Sequence, residues 1–93
     1  MEKLNICVVG AGYVGLVTGT CLAELGHHVV CVDSDPKKLK ALQTRKIPIY
    51  EPGLDKLFYR NIKAGRLRFA GSVDEGMGKP GRRAQVVFIA VGT

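Results

Sequence analysis

The stretch LNICVVGAGYVG, residues 4–15, decides the fold. Residues 4–9 form a short and almost wholly apolar run, which is typical of a parallel strand that is covered on both faces. Three glycines follow in the spacing G-x-G-x-x-G, and residues 13–25 continue as an apolar run that is long enough for a helix ending at Gly26. A buried strand, a tight glycine turn and a helix in this order predict the start of a βαβ unit.

The rest of the chain continues the alternation of strands and helices. Further strands are predicted at residues 29–32, 67–70 and 86–91. One helix is predicted from Pro36, which follows the capping residue Asp35, and a second at residues 53–64, after a loop at 46–52. A short third helix is predicted after Ser72, and a glycine-rich stretch at 76–83 ends it early. We expect a Rossmann-type α/β fold, doubly wound in three α/β/α layers but incomplete, with four parallel strands in the order 3-2-1-4.

The glycine pattern predicts a turn that binds a pyrophosphate. Gly10 allows the tight bend, Gly12 lets the phosphates approach the backbone, and Gly15 lets the helix pack close to the sheet. Backbone N–H groups at the start of the helix attract an anion. We assign all six residues of the turn to the cofactor site: Gly10, Ala11, Gly12, Tyr13, Val14 and Gly15. A glycine turn that serves packing alone is the alternative.

Asp33 is the second candidate, 18 residues after Gly15 and directly after the second predicted strand. A carboxylate at this position accepts hydrogen bonds from the adenosine ribose and repels a 2′-phosphate, which favours NAD over NADP. Lys37 and Lys38 stand nearby and could tolerate a phosphate, so NADP stays open. We interpret Asp35 as a helix cap rather than a ligand.

Four segments carry a resemblance to the UDP-glucose/GDP-mannose dehydrogenase family, and together they span Leu4 to Thr93. They are GAGYVGLVTG at 10–19, GHHVVCVD at 26–33, IYEPGL at 49–54 and VGT at 91–93. The third segment is more similar to the UDP-glucose branch than to the GDP-mannose branch, which remains an alternative. This segment also argues against a hydroxyacyl or hydroxy-acid dehydrogenase that shares only the Rossmann start.

The resemblance implies a function. Family members oxidise the C6 alcohol of UDP-glucose to a carboxylate with two NAD, through a catalytic cysteine. The resemblance also implies that the glycine turn holds the pyrophosphate of NAD and that Asp33 holds the ribose. It implies that Lys38 contacts the adenosine side and that a backbone segment passes beside the cofactor: Val91, Gly92 and Thr93. For Glu51 we favour a role at the start of a helix over one at the active-site rim.

The family's catalytic residues have no match in this sequence. We therefore expect residues 1–93 to be the amino-terminal part of an NAD-binding domain, without the substrate and catalytic domains and without turnover. A stand-alone NAD-binding or sensing module is the alternative. The parent enzyme is expected to be a homo-oligomer, and the outer edge of the fourth strand is expected to promote self-association of the chain.

Composition and residue spacing limit the other functions that this chain could have. Cys7, Cys21 and Cys31 lack metal-site spacing and are expected to be buried, inert thiols in a reducing compartment, with no metal bound. Glu24 and the dense glycines argue against a signal peptide in residues 4–25, so a cytoplasmic location and no membrane partner are expected. The net charge of +6 is uneven, but the basic residues are scattered with few aromatics between them, which does not favour a nucleic-acid partner.

Overall fold

Four parallel strands form the centre of the fold in the computed structural model, which describes residues 3–44, 53–78, 80 and 83–90. The elements along the chain are β1 (Asn5–Val9), α1 (Tyr13–Glu24), β2 (His28–Val32), α2 (Pro36–Gln43), α3 (Leu54–Lys63), β3 (Leu67–Ala70), α4 (Val73–Met77) and β4 (Val86–Ile89). All pairings are parallel and the strand order is β3-β2-β1-β4. The predicted fold and strand order are confirmed.

The two faces of the sheet are covered unequally. On one face α1, α2 and α3 enclose a large apolar core in which Leu16, Leu42 and Phe58 are at most 1% exposed. On the other face α4 covers a smaller cluster around Cys7 and Val32. The helices therefore form the outer layers of an α/β/α arrangement. In the described part of the chain, no helix is long and apolar enough to cross a membrane.

A polar network fixes α1 against α3 and the start of β3. Arg60 donates two hydrogen bonds to the carboxylate of Glu24, and the side-chain amide of Asn61 donates a third at 3.0 Å. Arg66 donates from Nε to Ala23 O at 3.0 Å and to Asn61 Oδ1 at 2.9 Å. The hydrogen bonds from Asn61 and Arg60 lower the pKa of Glu24. The sequence gives no local signal for this network, because Glu24 lies 36 and 37 residues before its partners Arg60 and Asn61.

Helix caps and strand ends agree closely with the sequence. Asp35 caps α2 by accepting from Lys37 N at 3.0 Å, and Ser72 caps α4 by accepting from Glu75 N at 3.3 Å. Strand β4 ends at Ile89 rather than at residue 91, although Ala90 N still donates to Val9 O at 2.8 Å. The predicted loop at 46–52 lies outside the described residues.

One expectation was wrong. Cys21 is exposed, because it lies on the outer side of α1, whereas Cys7 and Cys31 are buried as expected. The short helix ends early, at Met77, as expected, and Gly76 lies inside it, buried against the sheet. A Cβ at Gly76 would lie 2.3 Å from Val32 Cγ2 and 2.9 Å from Cys7 Sγ, so this glycine allows α4 to approach the sheet closely.

Replacement of Gly76 by alanine is expected to lower the free energy of unfolding by about 1–3 kcal/mol, because the added methyl group overpacks a buried contact. Urea titration of both proteins measures the difference. Gly12→Ser is the matched control, since a Cβ at Gly12 meets nothing within 4 Å and serine is favoured at the N-cap of a helix. Equal midpoints for Gly76→Ala and the wild type would contradict the close contact.

Strand β4 is expected to promote self-association of the chain. Within the described residues β1 is its only neighbouring strand, and Val87, Phe88 and Ile89 are 41%, 40% and 69% exposed. Unpaired, uncharged edges of this kind pair readily with another strand. Sedimentation velocity should show association that rises with concentration and that Ile89→Lys reduces. Leu25→Lys, at a residue 58% exposed away from the sheet edge, should leave it unchanged. A wild type that stays monomeric at high concentration would refute the expectation.

Candidate cofactor site

The turn between β1 and α1 contains glycines of two kinds. Gly10 has a φ of 110°, a backbone conformation that strongly favours glycine, and its N–H donates to Val32 O at 2.8 Å. A Cβ at Gly15 would lie 1.8 Å from Gly10 O, so α1 could not start where it does with any other residue there. The fold itself thus requires Gly10 and Gly15.

Gly12 is different, because the fold does not require it. A Cβ there would meet nothing within 4 Å, and its φ of −75° is open to any residue. As the N-cap of α1 it has no side chain to bind the first N–H groups of the helix. Tyr13 and Val14, the first two residues of the helix, are 51% and 64% exposed, so the start of the helix is open to solvent. The turn therefore leaves room and donors for an anion, and it fits a pyrophosphate.

Asp33 lies directly beside this turn at the end of β2. Its Oδ2 accepts from Ala11 N at 3.2 Å and its Oδ1 accepts from Asp35 N at 2.9 Å. Lys38 Nζ is 3.6 Å from Oδ2, and the side chain of Asp33 is 14% exposed. Burial raises the pKa of this carboxyl, but the two backbone hydrogen bonds and the Lys38 charge outweigh burial, so the pKa is lowered overall. Asp33 is an ionised acceptor whose orientation is fixed by its neighbours.

A crevice of about 240 Å³ opens where β1, β2 and β3 end. Its lining residues come from all three strand ends: Val9, Gly10, Val32, Asp33, Ser34, Gly71, Ser72 and Val73. A larger cavity of about 410 Å³ lies between α4 and the beginnings of the strands, lined by Asn5, His28 and Arg68 among others. We place the site in the smaller crevice, because ligands of open α/β sheets bind outside the carboxyl ends of the strands.

The structure brings together most of the predicted site residues. The six residues of the turn, Asp33 and Lys38 meet at one end of the sheet, with Lys38 placed against the Asp33 carboxylate. Val91, Gly92, Thr93 and Glu51 lie outside the described residues. His27 is buried and accepts a hydrogen bond at Nδ1 from Leu4 N, at 3.0 Å, which is a structural role.

The residues after β3 were not predicted to belong to the site. Gly71, Ser72 and Val73 line the crevice together with Asp33. The signal was present in the predicted topology: parallel strands bring their carboxyl ends to one edge, and β3 is the direct neighbour of β2.

A glycine turn between a parallel strand and a helix, with a carboxylate at the end of the adjacent strand, defines a dinucleotide-binding α/β domain. The comparison with known families agrees: the chain belongs to the UDP-glucose/GDP-mannose dehydrogenase family, NAD binding domain, whose model matches residues 4–93. The cofactor of this domain is NAD.

Individual relatives support the same family. A UDP-glucose 6-dehydrogenase of Rhizobium meliloti is 50% identical over 90 residues, and one of Bacillus subtilis is 48% identical, each over 97% of this chain and 20% of the relative. The structure of a UDP-glucose dehydrogenase from Pyrobaculum islandicum superposes with a TM-score of 0.85 at 39% identity, covering 99% of this chain and 20% of that one. A ternary complex of GDP-mannose dehydrogenase from Pseudomonas aeruginosa gives a TM-score of 0.84 at 36% identity over 97% and 20% of the two chains. The chain thus spans about a fifth of the length of these relatives.

Asp33 is expected to make stability depend on pH in acid. Because its pKa in the folded chain lies below the ordinary value of 3.8, the ionised carboxylate stabilises the folded state. This contribution is complete above the ordinary value and is lost as the pH falls through the folded-state pKa. The difference in unfolding free energy between the wild type and Asp33→Asn, measured by urea titration, should be largest near neutral pH and shrink below about pH 4. A difference that is constant from pH 7 to pH 2.5 would contradict the assignment.

Proposed function

We propose that this chain binds NAD as the cofactor-binding part of a UDP-glucose 6-dehydrogenase. The observation that carries the proposal is Gly12, which the fold leaves open at the helix start beside the fixed carboxylate of Asp33. The pyrophosphate would lie against the N–H groups at the start of α1, and the adenosine ribose would bind Asp33. Val91, Gly92 and Thr93 are proposed to pass beside the cofactor.

Charge supports NAD rather than NADP. The Asp33 carboxylate is ionised and would repel a phosphate on the ribose 2′ oxygen. Lys38 lies 3.6 Å from the same carboxylate, so its charge is already directed at Asp33. Lys38 would therefore hold the acceptor in place beside the adenosine.

The proposed substrate of the complete enzyme is UDP-glucose, which would be oxidised at C6 to UDP-glucuronate with two NAD. Bound NAD would supply the hydride acceptor for such an oxidation. The relatives named above are dehydrogenases, which favours the enzyme over a stand-alone NAD-binding or sensing module. The UDP-glucose 6-dehydrogenases, at 50% and 48% identity, are more similar to this chain than the GDP-mannose dehydrogenase, at 36%, which favours the UDP-glucose type.

The cysteines of the described residues do not supply the nucleophile of that reaction. Burial raises the pKa of Cys7, and burial with the nearby Cys7 raises the pKa of Cys31 to about 12, so neither is a thiolate at neutral pH. Cys21 is exposed on α1 and does not line the crevice. We therefore propose that this chain binds the cofactor without turning over the substrate.

We also propose a homo-oligomeric parent enzyme in the cytoplasm. The three cysteines, all free, fit a reducing compartment.

Calorimetric titration with NAD tests the proposed function. The wild type should bind NAD more tightly than NADP and should not respond to UDP-glucose. Gly12→Ala should weaken NAD binding at least about tenfold, because its methyl group occupies the space of the pyrophosphate, while the chain stays folded. Asp33→Ala should also weaken binding, through loss of the ribose contacts.

The two variants separate a binding turn from a packing turn. Lys63→Ala, at an exposed residue on α3 away from the crevice, is the control that should bind NAD like the wild type. A folded wild type that does not bind NAD, or a Gly12→Ala variant that binds it equally well, would overturn the proposal.

A further inference from the structure

The larger cavity, of about 410 Å³, lies between α4 and the beginnings of the strands, away from the cofactor crevice. Among the described residues, none lines both the cavity and the crevice. The volume falls within the range of about 300–1,000 Å³ that is usual for small-molecule pockets. The proposed cofactor therefore does not account for this cavity.

The inner part of the cavity is apolar. Val30, in the middle of β2, and Met77, at the end of α4, both line it and both pack on the small cluster around Cys7 and Val32. Ala84, in the segment before β4, does the same. A hydrocarbon group that entered the cavity would be removed from water against these side chains.

Backbone hydrogen bonds hold the walls of the cavity in place. Ala84 N donates to Met77 O at 2.8 Å, which joins the chain returning to β4 to the end of α4. Gln85 N donates to Asn5 O at 2.7 Å, and Asn5 N donates back to Gln85 Oε1 at 3.0 Å. The returning chain is thus fixed to both α4 and β1, so the space between them is a built feature of the fold.

Two side chains of opposite charge line the cavity from different elements. Arg68 lines it from β3 and Glu75 from α4, and both are exposed. In the part of the chain that the structure describes, neither side chain has a hydrogen-bond or ion-pair partner, and the two do not pair with each other. The fork of N–H donors on an arginine matches a carboxylate, and a glutamate accepts from an ammonium group. Asn5 and His28 add further polar groups to the lining.

We propose that this cavity binds a free α-amino acid with an apolar side chain. Its carboxylate would bind Arg68, its ammonium group would bind Glu75, and its side chain would lie on Val30 and Met77. Glu75 would repel a simple carboxylate and Arg68 would repel a simple amine, so the pair favours a ligand that carries both charges. The site is additional to the cofactor site and does not depend on it.

Nuclear magnetic resonance with labelled methionine methyl groups tests the site, because Met77 lines the cavity and the sequence has one other methionine, Met1. L-Leucine should shift the Met77 signal with a dissociation constant of about 1 mM or below. Three analogues should each bind at least about tenfold more weakly: glycine without the apolar side chain, 4-methylpentanoate without the ammonium group, and 3-methylbutylamine without the carboxylate. Equal affinities for leucine and 4-methylpentanoate would refute the role of Glu75 and with it the proposal.

Charge-removing variants assign the two groups of the ligand. Arg68→Gln should weaken binding of leucine at least about tenfold through loss of the contact with the carboxylate. Glu75→Gln should weaken leucine to a similar extent but should not weaken 4-methylpentanoate. Lys63→Gln and Asp74→Asn are the matched controls, because both residues are exposed and neither lines the cavity. Urea titration of all four variants excludes a loss of folding as the cause.

The outcomes separate this site from the proposed NAD site. Asp33→Ala, which should weaken NAD binding, should leave leucine binding unchanged, because Asp33 does not line the cavity. A folded wild type whose Met77 signal leucine does not shift would overturn the inference, whether or not the chain binds NAD. Leucine binding that is the same in Arg68→Gln and Glu75→Gln as in the wild type would overturn it as well.

Discussion

The contact between Gly15 and the carbonyl group of Gly10 is the constraint on which the rest of the structure depends. A Cβ on residue 15 would lie 1.8 Å from that oxygen, so α1 can follow β1 this closely only if residue 15 has no side chain. The same helix is close to β2 at Gly19, where a Cβ would lie 2.7 Å from Cys31 Sγ. These two close contacts of α1, with the end of β1 and with β2, place the start of α1 directly above the end of β1. The hydrogen bonds of Glu24 with Arg60 and Asn61 fix the other end of the helix.

The position of α1 in turn brings two backbone segments to Asp33. The carboxylate accepts from Ala11 in the turn and from Asp35 at the start of α2, so it links the first and second strand–helix connections. The hydrogen bonds that orient the acceptor also lower its pKa, with Lys38 adding a favourable charge. Orientation and ionisation of the carboxylate therefore have common causes, and a ligand would meet an acceptor that needs little rearrangement.

Much of this arrangement could be predicted from the sequence, because it depends on short-range patterns. The apolar runs predicted the strands. Asp35 and Ser72 predicted the helix caps, because a capping side chain contacts residues only a few positions away. The close packing of Gly76 could not be predicted from its own segment, because the residues it contacts lie more than 40 positions earlier. Val73 was missed for a similar reason: its place in the crevice comes from the neighbouring strands, not from its own segment. Cys21 was misjudged because an apolar helix with small residues does not reveal which side faces solvent.

The glycines of the turn show why stability and function can be separated in this domain. Gly10 and Gly15 satisfy demands of the backbone and of helix–sheet packing, so their replacement changes the fold before any ligand is present. Packing within the described residues does not require a glycine at position 12, because the space around it is open. A residue without a side chain at an open position is explained by a group that must come close to the backbone there, and the helix start that follows favours an anion. The open position, rather than the glycine count, is therefore the feature that links this fold to a bound pyrophosphate.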